Sequence, residues 1–477
     1  MNALILESLS PLIAIGIGII VLMTQTAIRR NASAAAGISL LTLLSAIWLS
    51  FNSWPSAAID ATPLMVVDGY ARIFTVVLTL AALVTIIVSR EWMNASGLEH
   101  HEFFMLVLVA TFGATVLAHA QHFAAFLLGL EIMGVAVYTL IAYPDKSWLP
   151  IEAGLKYLVL SSASTAILLF GFALLYAATG VLGFAELGAR IDQADALLTS
   201  TATLMIFTGV GFKLSLVPFH MWTPDVYEGA PTPVTGLLAT VSKVAIFVAL
   251  LRWYNAAQLW EQATLTEALS WLAIASMLVG NFLALKQDNL KRLLGYSSIA
   301  HMGYLLVALV VLGTLRDTEI ALEASVWYLI AYTGSTLAAF TALAAWQSIQ
   351  GKEERSDRES LQGMFWRAPM VALLMTASLL SLAGVPLTAG FIGKFYVVAS
   401  GIEAGLWLPL GALVLGSAVS IFYYLRVIYA LSVNTEEVPS SIAGQPLLTA
   451  AFIGLLVAVF ALGVYPQPLI QLVAGVL

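Results

Sequence analysis

The sequence predicts an all-α polytopic membrane protein of about 14 transmembrane helices, and three observations predict it. Hydrophobic residues make up 60% of the chain and charged residues only 10%, a balance that excludes a water-soluble domain. Apolar runs recur along all 477 residues, and a crossing needs only about 20 of them. The lysines and arginines between the runs alternate in density from loop to loop, as membrane topology demands.

Taken in order, the apolar runs fall at residues 4–28, 33–53, 66–89, 102–119, 121–143, 150–179, 197–221, 231–254, 265–286, 292–313, 320–348, 368–402, 405–430 and 446–472. The first has no basic leader and no small-residue cleavage site, so Met1–Ile28 is expected to be a span rather than a signal peptide. Asp68 and Arg72 open span 3 at i,i+4 spacing and are expected to pair. His100, His101, His119 and His122 sit at span ends, where solvation is expected. Span 7 contains Pro218, which has no N–H and breaks a helical ladder in mid-span. Pro231 and Pro233 suit the start of span 8, where a missing N–H is harmless. Span 12 is too long for one straight helix and contains Gly384, Pro386 and Gly390, so two half-helices are expected. The largest polar loop is the short stretch 351–367. One membrane domain over 1–477 follows: spans 1–3 in 1–100, repeats in 101–258 and 259–432, and a C-terminal span in 433–477.

The repeats rest on the two broken spans. They lie five apart, an odd offset, so they cross the bilayer in opposite directions. Two interrupted spans in matching places suggest inverted-topology repeats, here spans 4–8 and 9–13, with the functional sites at the breaks. Orientation follows from the basic residues. Arg29, Arg30, Arg90, Lys146, Lys286, Lys291, Arg292, Lys352, Arg355, Arg358, Arg367 and Arg426 fall on one side; Arg190, Arg252 and Arg316 fall on the other, with Arg72 just inside a span. The rich side is cytoplasmic by the positive-inside rule. Both termini are therefore expected outside.

Charge at membrane depth is what carries chemistry. Removing the loop charges leaves Glu131, Lys156, Lys213, Lys243, His301 and Lys394 within spans, with His220 beside the break in span 7. A lysine at mid-membrane costs roughly 2.5–3.5 kcal/mol on insertion scales. Titratable stations that answer to a neighbour's charge are what a proton relay needs. Three other readings stay open. Lys213 can snorkel beside a proline kink. The set can form ion pairs that merely hold the bundle. Lys156, four residues after Glu152, can form an i,i+4 pair near the membrane surface. Some chemistries are excluded. With no cysteine there is no disulfide, thiolate metal site or iron–sulfur ligation. No Walker A loop, no dinucleotide glycine motif after a strand and no paired-histidine haem or zinc motif occurs. A transporter without its own engine is driven by an ion gradient or by partners.

Three stretches carry a resemblance: Lys213–Pro233 (KLSLVPFHMWTPDVYEGAPTP) with Lys243 after it, Asn289–Gly303 (NLKRLLGYSSIAHMG), and Ser381–Lys394 (SLAGVPLTAGFIGK). Together they resemble the antiporter-like membrane subunits of respiratory complex I, over nearly the whole chain. The WTPDVYEGAPTPVT loop, lysine at 394 and no C-terminal lateral helix before Leu477 make the N-type subunit of bacterial NADH–quinone oxidoreductase the nearest likeness.

The resemblance implies a role for each station. Glu131 and Lys213 would be the coupled pair of the first half, Lys243 the connecting station and Lys394 the exit. His220 and His301 would be polar-axis histidines between them, and Lys156 an additional lysine of this subunit type. It implies no cofactor in this chain, with NADH, FMN, iron–sulfur clusters and quinone in partner subunits. Its partners would be other membrane and peripheral subunits, further antiporter-like subunits and the lipid bilayer, with no nucleic acid. The setting would be the bacterial inner membrane, both termini periplasmic. The alternatives are a subunit of a multisubunit sodium/proton antiporter or of a membrane-bound hydrogenase, and a membrane scaffold whose buried charges only hold partners.

Overall fold

The computed structural model describes residues 3–96, 101–144, 147–315, 318–351, 355–434 and 445–476. His100, Lys146, Arg316 and Lys352, used in the sequence reading, lie outside the described residues. Spanning helices are numbered α1–α14. They are α1 Ser10–Ile28, α2 Ala32–Asn52, α3 Gly69–Ser96, α4 Glu102–His119, α5 Phe123–Ile141 and α6 Trp148–Thr179. Next come α7, in two parts Ala196–Lys213 and Trp222–Gly229, α8 Thr232–Ala256, α9 Ala263–Ala284 and α10 Leu290–Leu315. Last are α11 Thr318–Gln350, α12 in two parts Pro369–Ala383 and Ala389–Glu403, α13 Trp407–Ser432 and α14 Pro446–Val464. Thirteen described helices are long and apolar enough to cross a membrane, and the two halves of α12 add a further crossing. The chain is a multi-pass, all-α membrane protein.

Helix order alone does not place the core. The helix α8 is buried along its whole apolar window, α10 and α11 nearly so, while α1 and α14 leave most of theirs uncovered. The two five-helix sets share a contact plan. The first packs α4 on α5, α6 on α7 and α4 on α8; the second packs α9 on α10, α11 on α12 and α9 on α13. Glycine lets the leading pair of each set approach closely, as small residues do between membrane helices. A Cβ on Gly113 would meet the Met133 nitrogen at 2.5 Å, and one on Gly280 the Ala300 nitrogen at 2.7 Å.

Several expectations change. The break in α7 is wider than one proline requires. It runs over 214–221, and the helix resumes in residues expected to be loop. Ser215 at φ +64° turns the chain before Pro218 is reached. Span 14 ends at Val464, because Pro466 and Pro468 follow, and a separate short helix covers Gln467–Ala474. A two-stranded hairpin, β1 Ile59–Thr62 and β2 Met65–Val67, fills the loop between α2 and α3. Asp68 does not pair with Arg72. Its carboxylate takes both ends of the Arg252 guanidinium at 2.6 and 2.9 Å, and Arg72 donates instead to the Ser8 and Ser53 carbonyls. His119 is buried rather than solvated, its Nδ1 2.8 Å from the Thr115 carbonyl.

Candidate functional site

Each helix break holds one of the two outer lysines at the C-terminal end of its first half. A helix C-terminus leaves carbonyls unpaired and carries partial negative charge. Lys213 is the last residue of the first half of α7. Lys394 lies in the second half of α12 but reaches back, its Nζ 2.9 Å from the Ala383 carbonyl that ends the first half. That resolves an asymmetry in the sequence, where Lys213 precedes its proline by five residues and Lys394 follows its own by eight. Gly384 makes the reach possible: its φ is +84°, and a Cβ there would lie 2.8 Å from the Lys394 side chain.

Lys213 is buried, its Nζ 2.5 Å from Ser161 Oγ on α6, and that hydroxyl lies 2.7 Å from Tyr138 Oη. One turn along α6, Thr165 donates to Glu131 at 2.9 Å. The expected coupled pair is therefore not a direct ion pair among the described residues: α6 hydroxyls serve both groups. Glu131 is only partly buried in this chain.

Lys243 is fully buried. It follows a π-helical turn, Leu238–Ser242, in α8, a widening common at functional sites. Its Nζ donates to Ser298 Oγ at 2.8 Å, and Ser298 lies 2.7 Å from Tyr332 Oη. Tyr332 donates to the Ala239 carbonyl inside the π turn at 3.1 Å. The Tyr227 ring stands 5.4 Å from the same ammonium, within cation–π range.

His301 ties the middle to the far end. Its Nδ1 lies 2.7 Å from Tyr328 Oη, and its ring centre is 5.4 Å from Tyr332 and 5.5 Å from Tyr304. The Lys394 ammonium lies 5.1 Å from the Tyr304 ring. A void of about 10 Å³ opens between His301, Tyr332, Ser335 and Ser381, at the threshold for one water. His220 is buried in the α7 break, and its Nδ1 has no partner among the described residues.

Lys156 stands apart from this line. It is part-exposed and bonds Glu152 at 2.8 Å and Asp225 at 3.2 Å, the i,i+4 arrangement left open by the sequence. Arg292 adds bonds of 2.8 Å to both Asp225 and Glu228, closing a surface cluster over the second half of α7. Sequence reasoning missed the hydroxyl partners Ser161, Thr165, Tyr328 and Tyr332; their i,i+4 spacings on α6 and α11 were the available signal. It also counted Lys291 as a loop charge. That residue is buried, and its Nζ donates to the Ala230 carbonyl at 2.9 Å.

The result is a set of buried amines, an imidazole and hydroxyls in two groups, one around Lys213 and one running from Lys243 to Lys394. Among the described hydrogen bonds no carboxylate touches Lys213, Lys243 or Lys394. Each lysine meets neutral oxygens, an arrangement in which the group can hold a proton or pass it along.

Comparison with known proteins agrees with the architecture. A family model described as NADH:quinone oxidoreductase/Mrp antiporter, TM, matches residues 120–420. A chain of respiratory complex I from Thermus thermophilus, solved with bound aureothin, is 34% identical; the match covers 98% of this chain and 100% of that one, at a TM-score of 0.84. A chain of an archaeal membrane-bound sulfane sulfur reductase is 22% identical, over 99% and 96%, at 0.84. One from the Mrp complex of a Dietzia species is 20% identical, over 98% and 96%, at 0.86. The latter two show the shared fold alone. All three come from multisubunit membrane complexes. The breaks, the lysines and the family match over most of the helical bundle lead to one conclusion: this chain belongs to the antiporter-like membrane subunits of the NADH:quinone oxidoreductase/Mrp antiporter family.

Proposed function

We propose that this chain is the N-type antiporter-like subunit of a bacterial NADH–quinone oxidoreductase and moves protons across the membrane. The redox chemistry, with NADH, FMN, iron–sulfur clusters and quinone, belongs to partner subunits. The observation that carries the reading is the line Lys213–Ser161, Lys243–Ser298 and Lys394–Ala383 carbonyl, three buried amines on neutral acceptors at the helix breaks and the π turn. Glu131 biases Lys213 through α6, Lys243 connects the halves past His301, and Lys394 discharges outward. His220 stands in the α7 break as a further station. Lys156 acts on the second half of α7 through Asp225.

Removing Lys243 tests the relay. In an assembled complex, Lys243→Ala is expected to abolish this subunit's pumping while NADH oxidation by quinone persists. Normal protons per electron in that variant would sink the relay. The Mrp part of the family favours one rival, gradient-driven sodium/proton exchange. The chain extracted in mild detergent distinguishes them. Travel with an assembly that oxidises NADH supports the complex I reading; travel with small membrane subunits and sodium-dependent proton exchange supports the rival.

A further inference from the structure

A polar cleft of about 280 Å³ opens where α1 and α3 end and α2 and α4 begin. Arg30, Arg90 and His101 surround it, with Asn31, Ser33 and Asn94 completing its rim. Neither arginine forms an ion pair among the described residues. The Nδ1 of His101 is shielded from solvent and has no partner there either. Met93 and Phe104, both buried, give the cleft an apolar floor. Positive charge with no ion-pair partner among the described residues, set around a concave site, calls for an anion, and the arginine forks suit a phosphate.

Depth and surroundings say which phosphate. The cleft sits at helix ends on the arginine-rich side, where bilayer headgroups lie. From it, an uncovered apolar stripe runs down α1 through Ile28, Met23, Ile20 and Ile17, each more than half exposed. From Ile28 to Ile17 that stripe is about 16 Å long at 1.5 Å per residue, close to one leaflet of a hydrocarbon core about 30 Å thick. The cleft holds a phosphodiester and glycerol but not the acyl chains, and the stripe takes a chain. We propose that this cleft binds the headgroup of an anionic phospholipid, with Arg30 and Arg90 on its phosphate and an acyl chain along α1.

The test uses the purified full chain in mild detergent, alone or in its complex, followed by native mass spectrometry and thermal unfolding. Phosphatidylglycerol is expected to remain bound as one retained molecule and to raise the unfolding temperature by several degrees. Phosphatidylcholine, inorganic phosphate and glycerol 3-phosphate are expected to do neither. Arg30→Gln with Arg90→Gln is expected to weaken phosphatidylglycerol binding at least ten-fold, whereas Arg355→Gln, an exposed arginine of another loop, leaves it unchanged. If the double variant fails to fold, Asn94→Asp, which places a negative charge at the exposed rim, is expected to give the same loss. Equal stabilisation by phosphatidylcholine would make the lipid merely annular. An equal response to soluble phosphate would make the site a free-anion site. Retained binding in the charge variants would remove the arginines. Each of these three outcomes overturns the proposal.

Discussion

Ser161 shows how a small residue governs a charged one. Its hydroxyl is the hydrogen-bond partner of Lys213 and also touches Tyr138. Hydrogen bonds to charged groups contribute about 1.5–3 kcal/mol, and a buried group left unpaired costs more than an average bond gains. Ser161→Ala is therefore expected to slow proton delivery through Lys213 about ten-fold or more in an assembled complex. Ser161→Thr, which keeps the hydroxyl, is expected to restore most of it. Proton uptake by inverted vesicles checks this, and wild-type rates in the alanine variant would take Ser161 out of the path. Glu131→Gln tests the other end, since it keeps a partner for Thr165 but removes the charge; weakened pumping is expected, and normal pumping would favour a purely structural carboxylate. The lysines were legible in the sequence because charge in an apolar run is costly. Their partners were not, because serine is ordinary between membrane helices. Lys291 misled for the opposite reason: it sits beside loop charges, yet folding tucks it under the end of α7.

At the scale of the element, the α12 break depends on Gly390. A Cβ there would lie 1.9 Å from the Ser381 carbonyl oxygen, a backbone atom that cannot swing aside. The Gly390 amide also donates to Ser381 Oγ at 3.0 Å. Gly390→Ala is expected to push the two halves apart and unseat Lys394 from Ala383, giving an assembled but non-pumping subunit or none in the membrane. Immunoblots of the purified complex with pumping assays separate those outcomes; normal pumping would show that the close approach is dispensable. Pro218 marked the α7 break in the sequence but not its width. That width is set by one contact with a distant element and one across the break: Val217 N donates to Ser276 Oγ on α9 at 3.0 Å, and Trp222 Nε1 to the Phe212 carbonyl at 2.9 Å. The Asp68–Arg252 pair joins the start of α3 to the end of α8. Burial alone would raise the Asp68 carboxyl, but the Arg252 guanidinium overrides it and holds it below the usual carboxylate range. A depressed carboxyl contributes stability that is complete above its unfolded value, near 3.9, and is lost as pH falls through the folded one. Thermal stability is thus expected to fall below about pH 4, and Asp68→Asn to remove that part of the acid limb. An acid limb unchanged in the variant would assign it to other groups.

For the whole molecule, the span pattern was nearly complete in the sequence, because each apolar run answers one bilayer crossing. What it left open was which crossings are central. Burial of α8, α10 and α11 comes from packing among runs that look alike in composition. In the proposed relay, the central position of α8 sets Lys243 between the two halves. Toward the second half, Ser298, Tyr332 and His301 lead from Lys243 to the Tyr304 ring beside Lys394. Two five-helix sets with one contact plan can act as two separate pores or as one path in series. The connecting role proposed for Lys243 requires the series. In a series path, losing either outer lysine stops the whole flow. Lys213→Ala and Lys394→Ala are each expected to remove all of this subunit's contribution to protons pumped per NADH, and the double variant to be no worse than either. Separate pores predict a different result: each single variant keeps about half of that contribution and only the double variant loses it. Because both arms use the same complex and the same stoichiometric readout, additive losses would exclude a single line of stations, whatever the lysines do individually.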